Sequence, residues 1–600
     1  MNTQTLNNSQ SPAAPKNSGF DSDMQQLWLA TGLLLITGIV PALIGNSYWE
    51  HSFQLMNIYI AVTVLQNWLF VDAGQKSFGQ GVLLGLGAYG FAIAYGIHEM
   101  PLALGLLWGL IAAAGGGLLF ALPALRVQGF HLGFVTLSAA VVFPQLLLQM
   151  DDLTQGLNGI PMSMPSLNEP FLFGISGLSL LCTAAPIAAL TFHLMMRRSR
   201  LGRRMRTAAE SPEAARSLGI RPGVMSSAAF LIAAIGTGIC GLLFVPAVSF
   251  VTPQSFLMDV SFIFFFAVVV GGRGQILGPV IGIWAVFTIP NILLVDLAHY
   301  KPLVYGFITL FVVLVFPDGV VGTVEEWRRK RSQSGGGERA FHLTALTDWL
   351  SSLPDHATSP DAEPIISVKG ATKRFGSVVA VDHVDMDLRP GEIHGLVGAN
   401  GSGKTSLLNI LNGFSRMNDG SYTFTGRDVS AASAPGIASL GLGRTFQTPR
   451  IFPSFSVWNN VRVGLDARET ALPEELARIL RQMEAEHADG MPTLLSHGQR
   501  RILEVVRVVL KDSRVVLFDE PAAGLSSEER AEFSNLVRLL SQKLGTAVVL
   551  VEHDLELVWS IADRITVLET GQVVAQGRPD DLAKDPAVQH LFVGGDHAIA

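Results

Sequence analysis

The sequence predicts two fold classes in one chain: a polytopic α-helical membrane domain of about ten spans, then a C-terminal α/β domain built around a phosphate-binding loop. Three observations predict it. Charge is sparse in Met1–Arg331, which holds 17 Lys+Arg and 15 Asp+Glu, and denser in the rest of the chain, which holds 25 and 34. Long apolar runs recur through the first part at the length a bilayer demands, about 20 residues each. Strand–loop–helix alternation begins near Ile365, and one of its loops reads Gly398-Ala399-Asn400-Gly401-Ser402-Gly403-Lys404-Thr405.

Composition sets the outer bounds. Hydrophobic residues make up 49% of the 600 and charged residues 15%, with a mean hydropathy of +0.39. Soluble chains carry about 25% charge, so a wholly soluble protein is excluded. Extended disorder is excluded too, because it needs low hydrophobicity. Two cysteines, Cys182 and Cys240, cannot build a disulfide scaffold or a cysteine-rich zinc domain. The net charge of −7 gives no support to a nucleic-acid partner.

Residues 1–25 form a polar tail without the basic start and apolar core of a signal peptide. Residues 26–331 hold the spans: Leu27–Gly45, Leu55–Val71, Gly81–Ile97, Leu102–Leu122, Leu132–Met150, Leu178–Met196, Met225–Val248, Phe256–Val270, Ile276–Val295 and Leu303–Phe316. Phe256–Val270 and Leu303–Phe316 are short and fit re-entrant or tilted pieces. Lys and Arg accumulate in cytoplasmic loops. With the N-terminus inside and ten spans, Lys16, Lys76, Arg126, the cluster Arg197–Arg206, Arg216, Arg221, Arg273 and Arg328–Arg331 all fall inside, and Lys301 alone falls outside. Glycines such as Gly81, Gly85, Gly87 and Gly90 suit close helix packing in lipid. Ionisable residues within the runs are scarce, with Asp259 and Asp296 near outer ends. Ion pumps need buried charge, so the scarcity points to a path for a neutral or zwitterionic solute. In the cytoplasmic loop, Glu213-Ala214-Ala215 up to Gly219 reads as a short helix between Pro212 and Pro222.

Residues 332–364, with Gly335-Gly336-Gly337 and several Ser and Pro, read as a linker containing a short amphipathic helix at His342–Leu353. Residues 365–600 form the α/β domain. Glu392–Val397 is a buried strand leading into the Gly398–Thr405 loop, where glycines let backbone N–H groups curl around phosphates. Lys404 suits the β- and γ-phosphates and the Thr405 hydroxyl suits Mg²⁺. A second strand, Val515–Phe518, runs into Asp519-Glu520, a metal-binding carboxylate followed by one placed to polarise water. A third, Ala547–Val551, ends at His553, which fits either a structural role or a γ-phosphate contact. Leu495-Ser496-His497-Gly498-Gln499 opens another helix and another anion-binding surface. Phe375 fits either a stack on adenine or a core aromatic.

In order and spacing, Phe375, Gly398–Thr405, Gln447, Leu495–Gln499, Asp519–Glu520, Ala523-Gly524-Leu525-Ser526 and His553 resemble the A-loop, Walker A, Q-loop, signature, Walker B, D-loop and H-loop of an ABC-transporter ATPase. The resemblance implies ATP binding by Phe375 and by Gly398, Ala399, Asn400, Gly401, Ser402, Gly403, Lys404, Thr405 and Ser406. It implies Mg²⁺ on Thr405, Gln447 and Asp519, and catalysis by Glu520, His553 and Gln447. Ser496, His497, Gly498 and Gln499 would face the ATP of a partner ATPase. His497 stands where the common signature has glycine; Ser496 and Gly498 are kept, so nucleotide binding is expected to survive.

Gly443–Phe452 and Asp519–Leu525 look like the ATPases of branched-chain amino-acid importers, although the segment from Gln447 to Leu495 is shorter than is usual there. Ala73–Tyr89, Leu122–Leu137, Leu153–Ile160 and Val269–Pro279 resemble the permeases of the same importers. Glu213, Ala214, Ala215 and Gly219 match their EAA coupling loop. The resemblance implies an inner-membrane, multi-pass half-transporter with N-terminus and ATPase domain cytoplasmic. It implies ATP-driven import of branched-chain or related amino acids. Implied partners are a second permease–ATPase pair, paralogous or identical, and an extracytoplasmic substrate-binding protein. Urea, short amides or aromatic acids remain as alternative cargo, and a non-transporting mechanical complex as an alternative class.

Overall fold

The computed structural model describes residues 18–44, 46–125, 130–172, 174–293, 300–332, 344–356, 362–468, 472–487, 490–585 and 588–589. The chain divides into two compact units. One holds residues 22–215 and 220–336; the other holds residues 337–600 together with Arg216–Gly219 and residues 1–21.

In the first unit the apolar runs become helices because a chain in lipid must satisfy its backbone groups internally. Nine helices among the described residues are long and apolar enough to cross a membrane: Ser22–Ile44, Ser47–Asp72, Gln80–Ile97, Leu102–Ala124, His131–Gln149, Gly177–Arg198, Pro222–Val248, Pro253–Gly271 and Gly306–Arg328. The ninth expected run, Ile276–Val295, opens as a shorter apolar helix, Gly278–Ile289, and its far end lies outside the described residues. The two runs that looked short lie in interrupted segments: a 3₁₀ turn, Pro253–Phe256, precedes the 14-residue helix Met258–Gly271, and a turn at residues 316–318 parts Lys301–Val315 from Gly319–Ser332.

Polar residues fix where these helices begin. Asn46 accepts the N–H groups of Tyr48 at 3.0 Å and Trp49 at 3.4 Å, and Ser176 accepts that of Ser179 at 3.2 Å. Such caps occupy donors that a helix start leaves unpaired. Small residues set the packing distances, as the glycine-rich runs suggested. A Cβ on Gly87 would lie 2.6 Å from the Gly238 carbonyl oxygen, so two helix backbones meet where no side chain fits.

One helix end differs from its apolar run. The second run stops at Val71, but a π-helical turn, Trp68–Asp72, carries the helix one residue further. Asp72 is thereby drawn into the helix end and buried, and so is His193 on Gly177–Arg198. The segment after Arg200–Glu210 forms the expected short helix, Pro212–Ser217. Glu213, Ala214 and Ala215 lie on it, and Gly219 follows with a left-handed φ of +81°.

The second unit is built on a six-stranded sheet ordered Leu442–Arg444, Val515–Asp519, Ala547–Val551, Ile393–Val397, Arg564–Glu569, Gln572–Gly577. Only the last strand is antiparallel to its neighbour. Alternate residues serve two cores, as the period of a strand requires. Val516, Phe518, Val548 and Leu550 pack on one face, and Val515, Leu517, Val549 and Val551 on the other. A second, antiparallel sheet has the order Val378–Leu388, Ile366–Phe375, Asp419–Phe424, Arg427–Asp428. Within the stretch read as linker, Thr344–Ser352 is a helix. Its Leu346, Trp349 and Leu350 join the same core as Leu536, Val537 and Leu540. Lys543 pairs with Asp355 at 2.7 Å just beyond it.

Candidate active site

Parallel strands deliver their C-terminal ends to one edge of a sheet, where open α/β folds bind ligands. Four strands do so here. Ile393–Val397 leads into the Gly398–Thr405 loop. Val515–Asp519 ends on the carboxylate pair, Ala547–Val551 leads to Glu552 and His553, and Leu442–Arg444 leads to Gln447.

The loop is shaped by glycine. Gly398 has a φ of +153°, and a Cβ there would collide with the Leu568 carbonyl. The helix that follows, Lys404–Leu411, begins at Gly403 without a side-chain cap, which leaves its first N–H groups available to an anion. Lys404 donates to the carbonyls of Gly398 at 2.6 Å and Ala399 at 2.9 Å. Burial holds its ammonium below the ordinary lysine range, while the carboxylates of Glu520 and Asp519 pull it back up. The Ser402 hydroxyl is buried and has no partner among the described residues. A buried polar atom without a partner calls for a ligand or water, and here it lies in a phosphate-type loop. Thr405 is exposed.

Glu520 sits in the left-handed region, with φ +48°, a conformation that costs a non-glycine residue about 1–3 kcal/mol. Its N–H is held by the Val551 carbonyl at 2.9 Å. Its carboxylate accepts from Gln447 Nε2 at 2.9 Å and meets His553 Nε2 at 2.7 Å. Three residues predicted as catalytic thus touch one another, although 73 and 33 positions separate Glu520 from its two partners. Asp519 is buried and paired through Oδ2 with Arg444 at 3.0 Å.

Thr405, Gln447 and Asp519 offer a hydroxyl, an amide carbonyl and a carboxylate. That is an all-oxygen donor set, which fits Mg²⁺. Among the described residues no group of three His, Cys, Asp or Glu forms a metal cage. Mg²⁺ is commonly held by one or two carboxylates together with substrate phosphates, so the two observations agree.

Phe375 is 55% exposed, with Lys373 Nζ 5.0 Å from its ring centre. It is not a core aromatic and is free to stack. Ser496 and Gln499 close a capping box on helix His497–Leu510, with Gln499 N–H donating to Ser496 Oγ at 3.2 Å. Gly498 is buried against Glu529, whose Oε1 lies 2.7 Å from where a Cβ would be. His497 Nδ1 is 2.9 Å from the equivalent point on Gly524. None of these signature residues hydrogen-bonds to the phosphate loop among the described residues.

A known family matches each part of the chain. Residues 52–315 match the family described as the permease component of the branched-chain amino acid transport system. Residues 381–523 match the ABC transporter family. The high-affinity branched-chain amino acid transport ATP-binding protein LivG of Salmonella typhimurium is 34% identical over 252 residues, which are 39% of this chain and 99% of that protein. The chain belongs to the ABC importers of the branched-chain amino-acid type. Its permease and its ATPase are fused in one polypeptide.

The ATP-binding protein BraF of Pseudomonas aeruginosa is 31% identical, with 39% and 99% covered. The arabinose import protein AraG of Azospirillum brasilense is 33% identical, with 36% and 43% covered. A solved nucleotide-free ATP-binding cassette from an ABC transporter is 26% identical and covers 39% of the importer and 100% of its own chain, at a TM-score of 0.35. The importer is a membrane protein that binds and hydrolyses ATP.

Some site residues escaped the motif reading. Arg444 bridges Asp519 and Asn409, the latter at 2.7 Å. Arg501, fully buried, donates to the carbonyls of Phe446 and Gln447. Glu504 accepts from Arg450 N–H at 3.0 Å and pairs with Arg501 at 3.3 Å. Burial pushes the Glu504 carboxyl up, with Arg507 opposing. The available signal was a charged pair spaced i,i+3 on the apolar face of a helix.

Proposed function

We propose that the importer carries branched-chain or related amino acids inward across the plasma membrane, as one half of a transporter whose N-terminus and ATPase lie in the cytoplasm. The observation that carries this reading is the meeting of Gln447, Glu520 and His553 beside a phosphate loop, in a chain whose other part matches a permease. ATP binds with its base on Phe375 and its phosphates in Gly398–Ser406. Lys404 exchanges its two loop carbonyls for the β- and γ-phosphates. Thr405, Gln447 and Asp519 hold Mg²⁺, which neutralises phosphate charge when bound. Glu520 polarises the attacking water, and His553 and Gln447 hold its carboxylate in place until the γ-phosphate is there.

Ser496, His497, Gly498 and Gln499 serve the ATP of a partner. ATP therefore favours the closed pair, because only closure supplies both phosphate-binding surfaces. That requires a second permease–ATPase pair, paralogous or identical, and a substrate-binding protein on the outer side. The segment Glu213, Ala214, Ala215 and Gly219 couples closure to the spans. The test of cargo is uptake of labelled L-leucine by vesicles holding the assembled complex and its binding protein. Competition by isoleucine and valine supports the reading. Competition only by urea, short amides or aromatic acids rejects it.

A further inference from the structure

The membrane unit holds a buried charge cluster that the nucleotide chemistry does not use. Asp72 ends the helix Ser47–Asp72, and its side chain is 5% exposed. Its Oδ2 lies 2.7 Å from Nε2 of the fully buried His193. Its Oδ1 lies 2.8 Å from Arg206 Nη2 and 3.8 Å from Arg197 Nε. Arg197 in turn donates to Asp23 Oδ1 and to the Gly274 carbonyl, both at 3.2 Å. One carboxylate thus gathers three helices and, through Arg197, touches the first helix and the turn at Gly274. Buried charge is costly unless it is paired and hydrogen-bonded, and here each charge has its partner.

Chain order gives the cluster its meaning. Arg206 lies on Arg200–Glu210, and only Ser211 separates that helix from Pro212–Ser217. Hydrogen bonding runs through the junction, from Ser211 N–H to Thr207 at 3.1 Å and from Ala215 N–H to Ser211 at 2.9 Å. A push on Pro212–Ser217 therefore reaches Arg200–Glu210 without a flexible break. That helix is seated on the end of Ser47–Asp72 at two points. One is the Arg206–Asp72 ion pair. The other is Ala209 against Gly74, where a Cβ on Gly74 would lie 2.5 Å from the Ala209 Cβ. Beyond Gly74 the chain is non-helical until Gln80 opens the next span.

We propose that Asp72 is the positioning residue through which the Glu213–Gly219 segment moves the second and third spans. The inference rests on reading that segment as the coupling element. Asp72 acts through Arg206, its partner on Arg200–Glu210. It keeps Arg200–Glu210 from sliding off the helix it must move.

The test uses the full chain assembled with its partner subunits and binding protein in vesicles, with labelled L-leucine as probe. Asp72→Asn should leave ATP hydrolysis near that of the unmodified complex while uptake falls about tenfold or more, within the usual range of coupling between sites. Arg206→Gln should do the same, and the double variant should be little worse than either, because both remove one contact. Should Asp72→Asn fail to assemble, Arg206→Gln carries the test, since it leaves the His193 contact of Asp72 in place. Unchanged uptake in either variant overturns the inference. So do additive losses in the double variant, or parallel losses of hydrolysis and uptake in an assembled complex. Deletion of Glu213–Gly219 separates the two claims. If that deletion spares uptake, the coupling reading fails; if it abolishes uptake while Asp72→Asn does not, this inference alone fails.

Discussion

Glu520 is held in a strained backbone conformation while two side chains from distant segments fix its carboxylate. Strain of this kind persists where the surroundings over-determine it, and it gathers at active sites. Glu520→Gln keeps the size and the Gln447 neighbour but loses the charge that draws a proton from water. Phosphate release should fall by about 10²-fold or more, while ATP binding, read by a fluorescent analogue, stays within a few-fold. Normal phosphate release would remove Glu520 from its assigned role. Lys404→Ala should weaken ATP binding itself, and unchanged affinity in the same assay would count against the phosphate loop. These residues are legible in sequence because each lies at the end of an apolar strand, so position along the chain reports position in space. Arg444, Arg501 and Glu504 are not. Their partners lie 35 to 75 positions away, and the i,i+3 spacing of Arg501 and Glu504 marks a buried pair without naming what it holds.

At the scale of elements, helix His497–Leu510 carries the signature at its start and Arg501 and Glu504 on its buried face. Those two grip the backbone from Phe446 to Arg450. The surface proposed to meet a partner's ATP and the backbone leading from Gln447 are therefore held as one piece. Arg501→Gln leaves Glu504 with less compensation in a buried site, a change that costs about 3–5 kcal/mol. Thermal unfolding should show that loss, and hydrolysis should fall further than ATP affinity. Equal stability would mean that the pair does not hold the segment. The helix Thr344–Ser352 gives a second case. Trp349→Ala should destabilise the ATPase unit by about 3–5 kcal/mol, which would not follow if 332–364 were only a tether. Clustered glycine, serine and proline marked this stretch as linker, and three apolar residues at helical spacing within the expected helix decide where part of it packs. The second span was misjudged for a related reason. Hydropathy ends at Val71, but helix geometry continues until Asp72 finds its cationic partners.

At the scale of the molecule, two solvents were readable from charge density alone; the permease and ATPase were readable only from the ordered motifs and the resemblance they carry. Fusion places the proposed coupling segment and the proposed hydrolytic site in one chain, so a single preparation can report both. Replacing residues 213–219 with a flexible stretch should leave hydrolysis and remove uptake. The central claim is that hydrolysis at Glu520 drives solute inward through the attached spans. It is tested most directly by measuring labelled leucine uptake and phosphate release together, in vesicles holding the assembled complex with either Glu520 or Glu520→Gln. The account expects both signals in the first and neither in the second. Sustained uptake without phosphate release in the second would contradict it.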